Sequence, residues 1–179
     1  ANWPACSKTL NDIRDQSNCG CCWAFGGAEA ASDRMCIATN GTYTVPLSAQ
    51  QLCFCASADG CQGNNLFQPW LHITTAGLVT GGQFNNSGPL TPAKSESAWC
   101  SDYSLPHCHH HGPQGDDPFP GEGTHGCPKV DPGNSPSCPK SCDADSKRTI
   151  DGDTYIASGT PQAYGGEGAE KAIRRAIIE

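Results

Sequence analysis

Gln16-Ser17-Asn18-Cys19-Gly20-Cys21-Cys22-Trp23 is the stretch on which the reading of this chain turns. Cys22 stands six positions after a glutamine and three after another cysteine, with Gly20 and Trp23 around it. Directly after it Ala24, Ala28, Ala31 and Met35 return at helical spacing, which predicts a helix from Cys22 toward about Ile37. A thiol at such a helix start lies among unpaired backbone N–H groups and at the positive end of the macrodipole, a setting that stabilises a thiolate. Gln16 can offer a side-chain N–H to a developing oxyanion, with the Cys22 backbone N–H as the second donor. Trp23 is expected to pack beside the site and restrict water. Half of a disulfide is the ordinary reading for any one of 13 cysteines. The odd count, however, leaves at least one thiol unpaired within the chain, and the Gln/Cys/Gly/Trp frame selects Cys22.

Composition bounds the rest. The 179 residues suffice for one domain and part of a second, but only 36% are hydrophobic, and 21 Gly and 14 Pro indicate much loop. A modest core with so many cysteines predicts disulfide staples and an oxidising or extracellular compartment. Metal binding is the rival use of cysteine, but Cys19-x-x-Cys22 stands alone without a second such pair. A net charge of -7 speaks against nucleic-acid or anionic-membrane partners, and no run of apolar residues is long enough to span a bilayer. Ala1-Asn2-Trp3-Pro4 does not read as a signal peptide, so for such a compartment the expectation is a targeting segment that was removed or lies outside these residues. Asn40-Gly41-Thr42 and Asn85-Asn86-Ser87 fit the N-glycosylation pattern.

Along the chain, residues 1–80 read as helical. Ser48-Ala49-Gln50-Gln51 after Pro46 is a capping-box pattern that starts a second helix. A third apolar run spans Leu66 to Ala76 and stops at Gly77. Residues 81–147 lose helical periodicity and read as a disulfide-rich loop region. Over 148–179 the pattern returns: Ala169, Ala172, Ile173, Ala176 and Ile177 trace one helix face that reaches Glu179 without a stop signal. The chain therefore reads as cut rather than finished.

These residues together carry a family resemblance. Ile13-Arg14-Asp15-Gln16 precedes the thiol, and Ala31-Ser32-Asp33-Arg34-Met35-Cys36-Ile37 ends its helix. Leu47-Ser48-Ala49-Gln50, Gly60-Cys61-Gln62-Gly63 and Gly77-Leu78-Val79-Thr80-Gly81-Gly82 follow. Further on come Tyr103-Ser104, Pro106 and Cys108, then His110-His111. The composite resembles papain-like cysteine proteases, in particular the cathepsin B branch. It is weakest over 83–99, 112–126 and 143–165.

The resemblance implies an α+β, papain-like fold, here mainly the helical left domain (1–80) plus the loop region (81–147). That region includes an occluding loop at about 100–127, and 148–179 begins a β-rich right domain that is largely absent. It implies Cys22 as nucleophile, Gln16 as the oxyanion-hole side chain, and Gly63 as the glycine whose backbone pairs with extended substrate, with Trp23 and Asn64 beside it. Asn64 stands where the family has glycine, so preference at that subsite departs from the pattern. His110 and His111 resemble the occluding-loop pair that binds a substrate's C-terminal carboxylate, which implies peptidyl-dipeptidase beside endopeptidase activity. The ordinary reading of His109-His110-His111 is a solvated run, or a weak metal site with His107 and Cys108. Asp15 matches the acidic partner of the first loop histidine, a pair that would make loop closure pH-dependent.

The family's bridges map onto Cys6–Cys36, Cys19–Cys61, Cys55–Cys138, Cys100–Cys142 and Cys108–Cys127, leaving Cys21, Cys22 and Cys53. For Cys21 and Cys53 several states stay open: inert buried thiols, a Cys21–Cys53 bridge, or a Cys21–Cys22 bond that would abolish nucleophilicity. The resemblance further implies peptide and protein substrates, a propeptide and cystatin-like inhibitors as partners, a monomer, no cofactor or metal, and a lysosomal, acidic-vesicle or secreted location.

Papain-like catalysis also needs an imidazole base, oriented by an amide, roughly 130–150 residues after the nucleophile. No histidine follows His125 and no Asn-Ser-Trp segment occurs. The expectation is a peptidase portion that is inactive by itself. A catalytically silent papain-like binding or matrix module is the rival reading, and an unrelated disulfide-rich module the third.

Overall fold

The structure is a computed structural model that describes residues 2–86, 88–92, 97–108, 135–159, 162 and 165–178. Its helices are α1 (Ser7–Leu10), α2 (Cys22–Ala38), α3 (Ala49–Cys55), α4 (Gln68–Thr75), α5 (Ile150–Asp153) and α6 (Ala169–Ile178). Short 3-10 turns occupy Pro4–Cys6 and Phe84–Asn86. Among the described residues there are no strands. Isolated bridges pair Gly20 with Gln62, Leu47 with Thr80, and Leu78 with Tyr155.

The long helix α2 is the spine of the core. Trp23, Ala24, Phe25, Ala28 and Ala31 are buried on it and meet Leu52, Cys53 and Phe54 of α3, Ile73 of α4, and Tyr103. Small residues on α2 let its neighbours come close. A Cβ on Gly27 would lie 2.4 Å from the Pro69 side chain and 3.3 Å from Leu52, so glycine there sets the approach of α4 to α2. Tyr103 packs edge-on to Phe25 with centroids 4.8 Å apart and stacks with Phe54 at 6.3 Å.

Helix α3 begins where the capping pattern predicts. The Ser48 hydroxyl accepts the Gln51 N–H at 3.0 Å and donates to the Ser101 carbonyl at 2.7 Å. Its two buried glutamines reach outward to backbone: Gln51 Oε1 accepts the Val79 N–H and Gln50 Oε1 accepts the Ser104 N–H. Helix α4 differs from the sequence expectation at its start. It opens at Gln68 with Pro69 in its first turn, while Leu66 and Phe67 precede it, exposed. An Asn65 side chain accepting from both Phe67 and Gln68 N–H groups makes the turn there and prevents an earlier start. The other end follows the pattern, with Gly77 at φ 79° and its N–H donating to the His72 carbonyl.

Five disulfides are present among the described residues: Cys6–Cys36, Cys19–Cys61, Cys21–Cys53, Cys55–Cys138 and Cys100–Cys142. Cys108 is also disulfide-bonded. Cys127, the partner that the resemblance assigns to it, lies outside the described residues, as do His109, His110, His111 and most of the 100–127 loop. The Cys100–Cys142 bridge and a buried carboxylate fasten the far segment. Asp153 Oδ2 accepts from both the N–H and the hydroxyl of Thr80, and Arg148 meets Oδ1 at 2.7 Å. Asn40 and Asn85 are exposed and lie in turns at φ 50° and 54°.

Candidate active site

Among the described residues Cys22 is the one free cysteine, and it is exposed. It is the first residue of α2. The Cys21 carbonyl accepts the first helical bonds, from Ala24 and Phe25 N–H groups. The N–H groups of Cys22 and Trp23 have no acceptor among the described residues, and the Cys21 side chain does not cap them. Two backbone donors beside the sulfur are therefore open to an anion.

Gln16 reaches the same place from the preceding loop. Its Oε1 accepts the Cys21 N–H at 3.0 Å, which leaves Nε2 as the donating end of the amide. The loop that carries it is tied down on every side. Asp15 Oδ1 accepts the Ser17 N–H at 2.6 Å, and Ser17 is buried with φ 56°. The Tyr103 hydroxyl donates to the Gln16 carbonyl at 2.8 Å, and Gln83 Nε2 donates to the Asp15 carbonyl at 3.3 Å. Burial, aided by the Asp15 charge, pushes the Tyr103 phenol well above its ordinary range, so it stays a donor. Tyr103 and Gln83 were not singled out for this role by sequence. Tyr103 falls in a quoted motif, but nothing in the sequence says that its hydroxyl supports Gln16.

On the other side the Gly20–Gln62 bridge joins the thiol loop to the Cys61–Gly63 segment. Gly20 N–H donates to the Cys61 carbonyl at 2.8 Å, and Gly63 N–H donates to the Gly20 carbonyl at 3.0 Å. Gly63 is exposed at φ 83°, and a Cβ on it would meet no atom within 4 Å. Its lack of a side chain thus serves its backbone conformation and the space above it, not packing within the chain. Asn64 is exposed, its Oδ1 accepting the Asn65 N–H. Trp23 lies beneath the site rather than on it: it is 1% exposed, and its indole N–H donates to the Gly60 carbonyl at 3.1 Å. It supports the Gly60–Gly63 segment from inside.

Asp15 is the hinge to the loop region. Its Oδ2 accepts the Cys108 N–H at 3.5 Å and lies 3.9 Å from His107 Nδ1, a histidine buried at the base of the loop. No imidazole is hydrogen-bonded to the Cys22 sulfur among the described residues. A groove of about 830 Å³ runs along the other end of α2, lined by Arg34, Met35, Trp70, Ile73, Tyr155 and Ile156 among others. It contains neither Cys22 nor Gln16. The Cys19, Cys21 and Cys53 sulfurs lie within 4.8 Å of one another, but all three are in disulfides and so are poor metal ligands.

Comparison with known proteins places this arrangement. The model of the papain family of cysteine proteases matches residues 1–175. Cathepsin B-like cysteine proteinase 6 of Caenorhabditis elegans is 35% identical over 183 aligned residues, covering 99% of this chain and 42% of that protein. A cathepsin B-like cysteine proteinase of Schistosoma japonicum is 35% identical over 178 residues, covering 98% of this chain and 45% of that protein. Among solved structures, proCathepsin B S9 from Trypanosoma congolense aligns with 32% identity and a TM-score of 0.40, over 44% of this chain and 27% of that one. The chain spans less than half the length of these curated relatives. With a free thiol at the head of α2, an amide tied beside it and a family model matching nearly every residue, this chain belongs to the papain family of cysteine proteases and is similar to its cathepsin B-like members.

Proposed function

We propose that these residues form the nucleophile-bearing part of a cathepsin B-like peptidase that hydrolyses peptide bonds through an acyl-enzyme. The observation that carries this is the unpaired, exposed Cys22 at the first position of α2, with the Gln16 amide fixed one peptide away. The sulfur attacks the scissile carbonyl carbon, and the carbonyl electron pair moves to oxygen. Gln16 Nε2–H and the Cys22 N–H receive that oxyanion. The leaving amine takes its proton from an imidazolium, and water then cleaves the thioester. An extended substrate pairs its backbone with Gly63, and Asn64 shapes the same subsite.

The imidazole comes from outside the described residues, and residues 1–179 alone do not turn over. His110 and His111 supply carboxylate recognition and with it release of C-terminal dipeptides. The same reading assigns peptide and protein substrates, regulation by a propeptide and cystatin-like inhibitors, a lysosomal, acidic-vesicle or secreted location, and glycans on Asn40 and Asn85. No described helix is long and apolar enough to cross a membrane.

The test is hydrolysis of an internally quenched peptide by the full-length protein that carries these residues. The reading requires cleavage that Cys22→Ser abolishes. Cleavage that survives Cys22→Ser overturns Cys22 as the nucleophile, and no cleavage by a correctly folded and processed protein overturns the reading in favour of a silent binding module. Replacing His110 and His111 by alanine must remove dipeptide release while sparing internal cleavage.

A further inference from the structure

Cys21 and Cys53 form a disulfide between fully buried residues, Cα atoms 6.0 Å apart, that joins the residue before the nucleophile to α3. Its location gives it two consequences at the thiol. The backbone N–H of Cys21 is the donor that holds Gln16 Oε1, so the setting of this one peptide decides where Gln16 Nε2 points. Cys21 is also the N-cap of α2, and with its sulfur in the bridge it makes no capping bond. The Trp23 N–H is thereby left uncapped at the head of the helix.

The other end of the bridge is firmly held. Helix α3 is capped by Ser48 and tied to Val79 and Ser104 through Gln51 and Gln50. A displacement of the Cys21 peptide therefore has to drag a braced helix with it.

We propose that the Cys21–Cys53 disulfide is a positioning element for catalysis, fixing the peptide that aims the Gln16 amide at the oxyanion formed on Cys22. The proposal rests on the peptidase reading above.

The molecule contains a matched control. Cys6–Cys36 clamps the opposite end of α2, with a sequence separation of 30 against 32 for Cys21–Cys53. Cys19–Cys61 stays closed around Cys21–Cys53, so opening Cys6–Cys36 frees the larger unfolded loop and costs at least as much thermal stability. Only one of them touches Cys21.

The experiment compares Cys21→Ala/Cys53→Ala with Cys6→Ala/Cys36→Ala in the full-length protein, well below both melting temperatures. Two probes of Cys22 are read. Iodoacetamide alkylates the sulfur by displacement and generates no oxyanion. A peptide aldehyde adds to the sulfur to give a tetrahedral hemithioacetal whose oxygen uses the Gln16 and Cys22 donors. The expected result for C21A/C53A is an alkylation rate within about twofold of the parent and aldehyde affinity lower by about tenfold. C6A/C36A changes neither probe while losing at least as much thermal stability.

In a Gln16→Ala background, opening Cys21–Cys53 has no further effect on the aldehyde. Should the alanine pair not fold, the near-isosteric C21S/C53S pair serves the same comparison. The proposal is overturned if aldehyde affinity is unchanged, if both probes fall together, or if the bridge effect persists without Gln16. Failure of Cys22 to react with either probe in the unaltered protein is a separate result, and it sinks the peptidase reading instead.

Discussion

The Gln16 amide is held at its oxygen and, among the described residues, open at its nitrogen, and that asymmetry makes it testable by a single substitution. Gln16→Ala removes one oxyanion donor and leaves the sulfur in place, so kcat is expected to fall by about 10²-fold or more with KM little changed. Equal losses in kcat and in iodoacetamide reactivity would show that Gln16 shapes the thiol instead. Gly63 makes a different prediction because its φ of 83° is costly for any other residue while its Cβ position is empty. Gly63→Ala loses about 1–2 kcal/mol from the left-handed backbone, read by denaturant titration, and raises KM where the methyl meets substrate. If KM is unmoved, Gly63 does not line the substrate path.

At the scale of the helices, Ser48 bears the most on α3. It caps the helix and, as a donor, satisfies the buried Ser101 carbonyl. Ser48→Ala is expected to cost about 1–3 kcal/mol in a denaturant titration, more than a solvent-exposed cap, because the Ser101 carbonyl is left unpaired. A loss below about 0.5 kcal/mol would show that water replaces it. This helix was legible in sequence because a capping box is local chemistry, as was α2 because alanines at helical spacing need no partner to be read. The start of α4 was not: the apolar Leu66 and Phe67 match the pattern but remain exposed, and the Asn65 turn overrides them. The four-residue helices α1 and α5 carry one turn of pattern each, too little to rise above composition. Nor could periodicity foresee that Asp153 is buried against Thr80 or that the α3 glutamines brace distant backbone. Those are contacts across 28 to 73 residues, fixed by the fold. The thiol and its glutamine were legible because their spacing is local. The Cys21–Cys53 bridge was one of several open states because connectivity is a property of the packed chain.

For the molecule as a whole, the buried acids make a prediction about pH. Burial pushes the Glu29 carboxyl up from 4.5 to about 7, with the Arg14 guanidinium pulling it down and Asp12 and Asp33 pushing it further up. Burial likewise raises Asp102 from 3.8 to about 6, against the Gly82 N–H that favours its charge. A folded pKa above the unfolded one means that the unfolded chain gives up its proton first as pH rises. The contribution is therefore complete below the ordinary carboxylate range and is lost as pH climbs through 6 and 7. Thermal stability is expected to be higher near pH 5 than near pH 7.5, and Glu29→Gln should remove part of that difference. A melting temperature that rises over this interval, or one whose slope Glu29→Gln leaves intact, contradicts the assignment.

The central claim is that one sulfur in a heavily cross-linked molecule is left free for chemistry at the head of α2. Its most direct measurement is peptide mapping of the unreduced protein after reaction with an epoxide inactivator. The account predicts modification at Cys22, with Cys21 recovered in a bridge to Cys53. Recovery of Cys22 in a disulfide, or an unmodified Cys22 in folded protein, would contradict it.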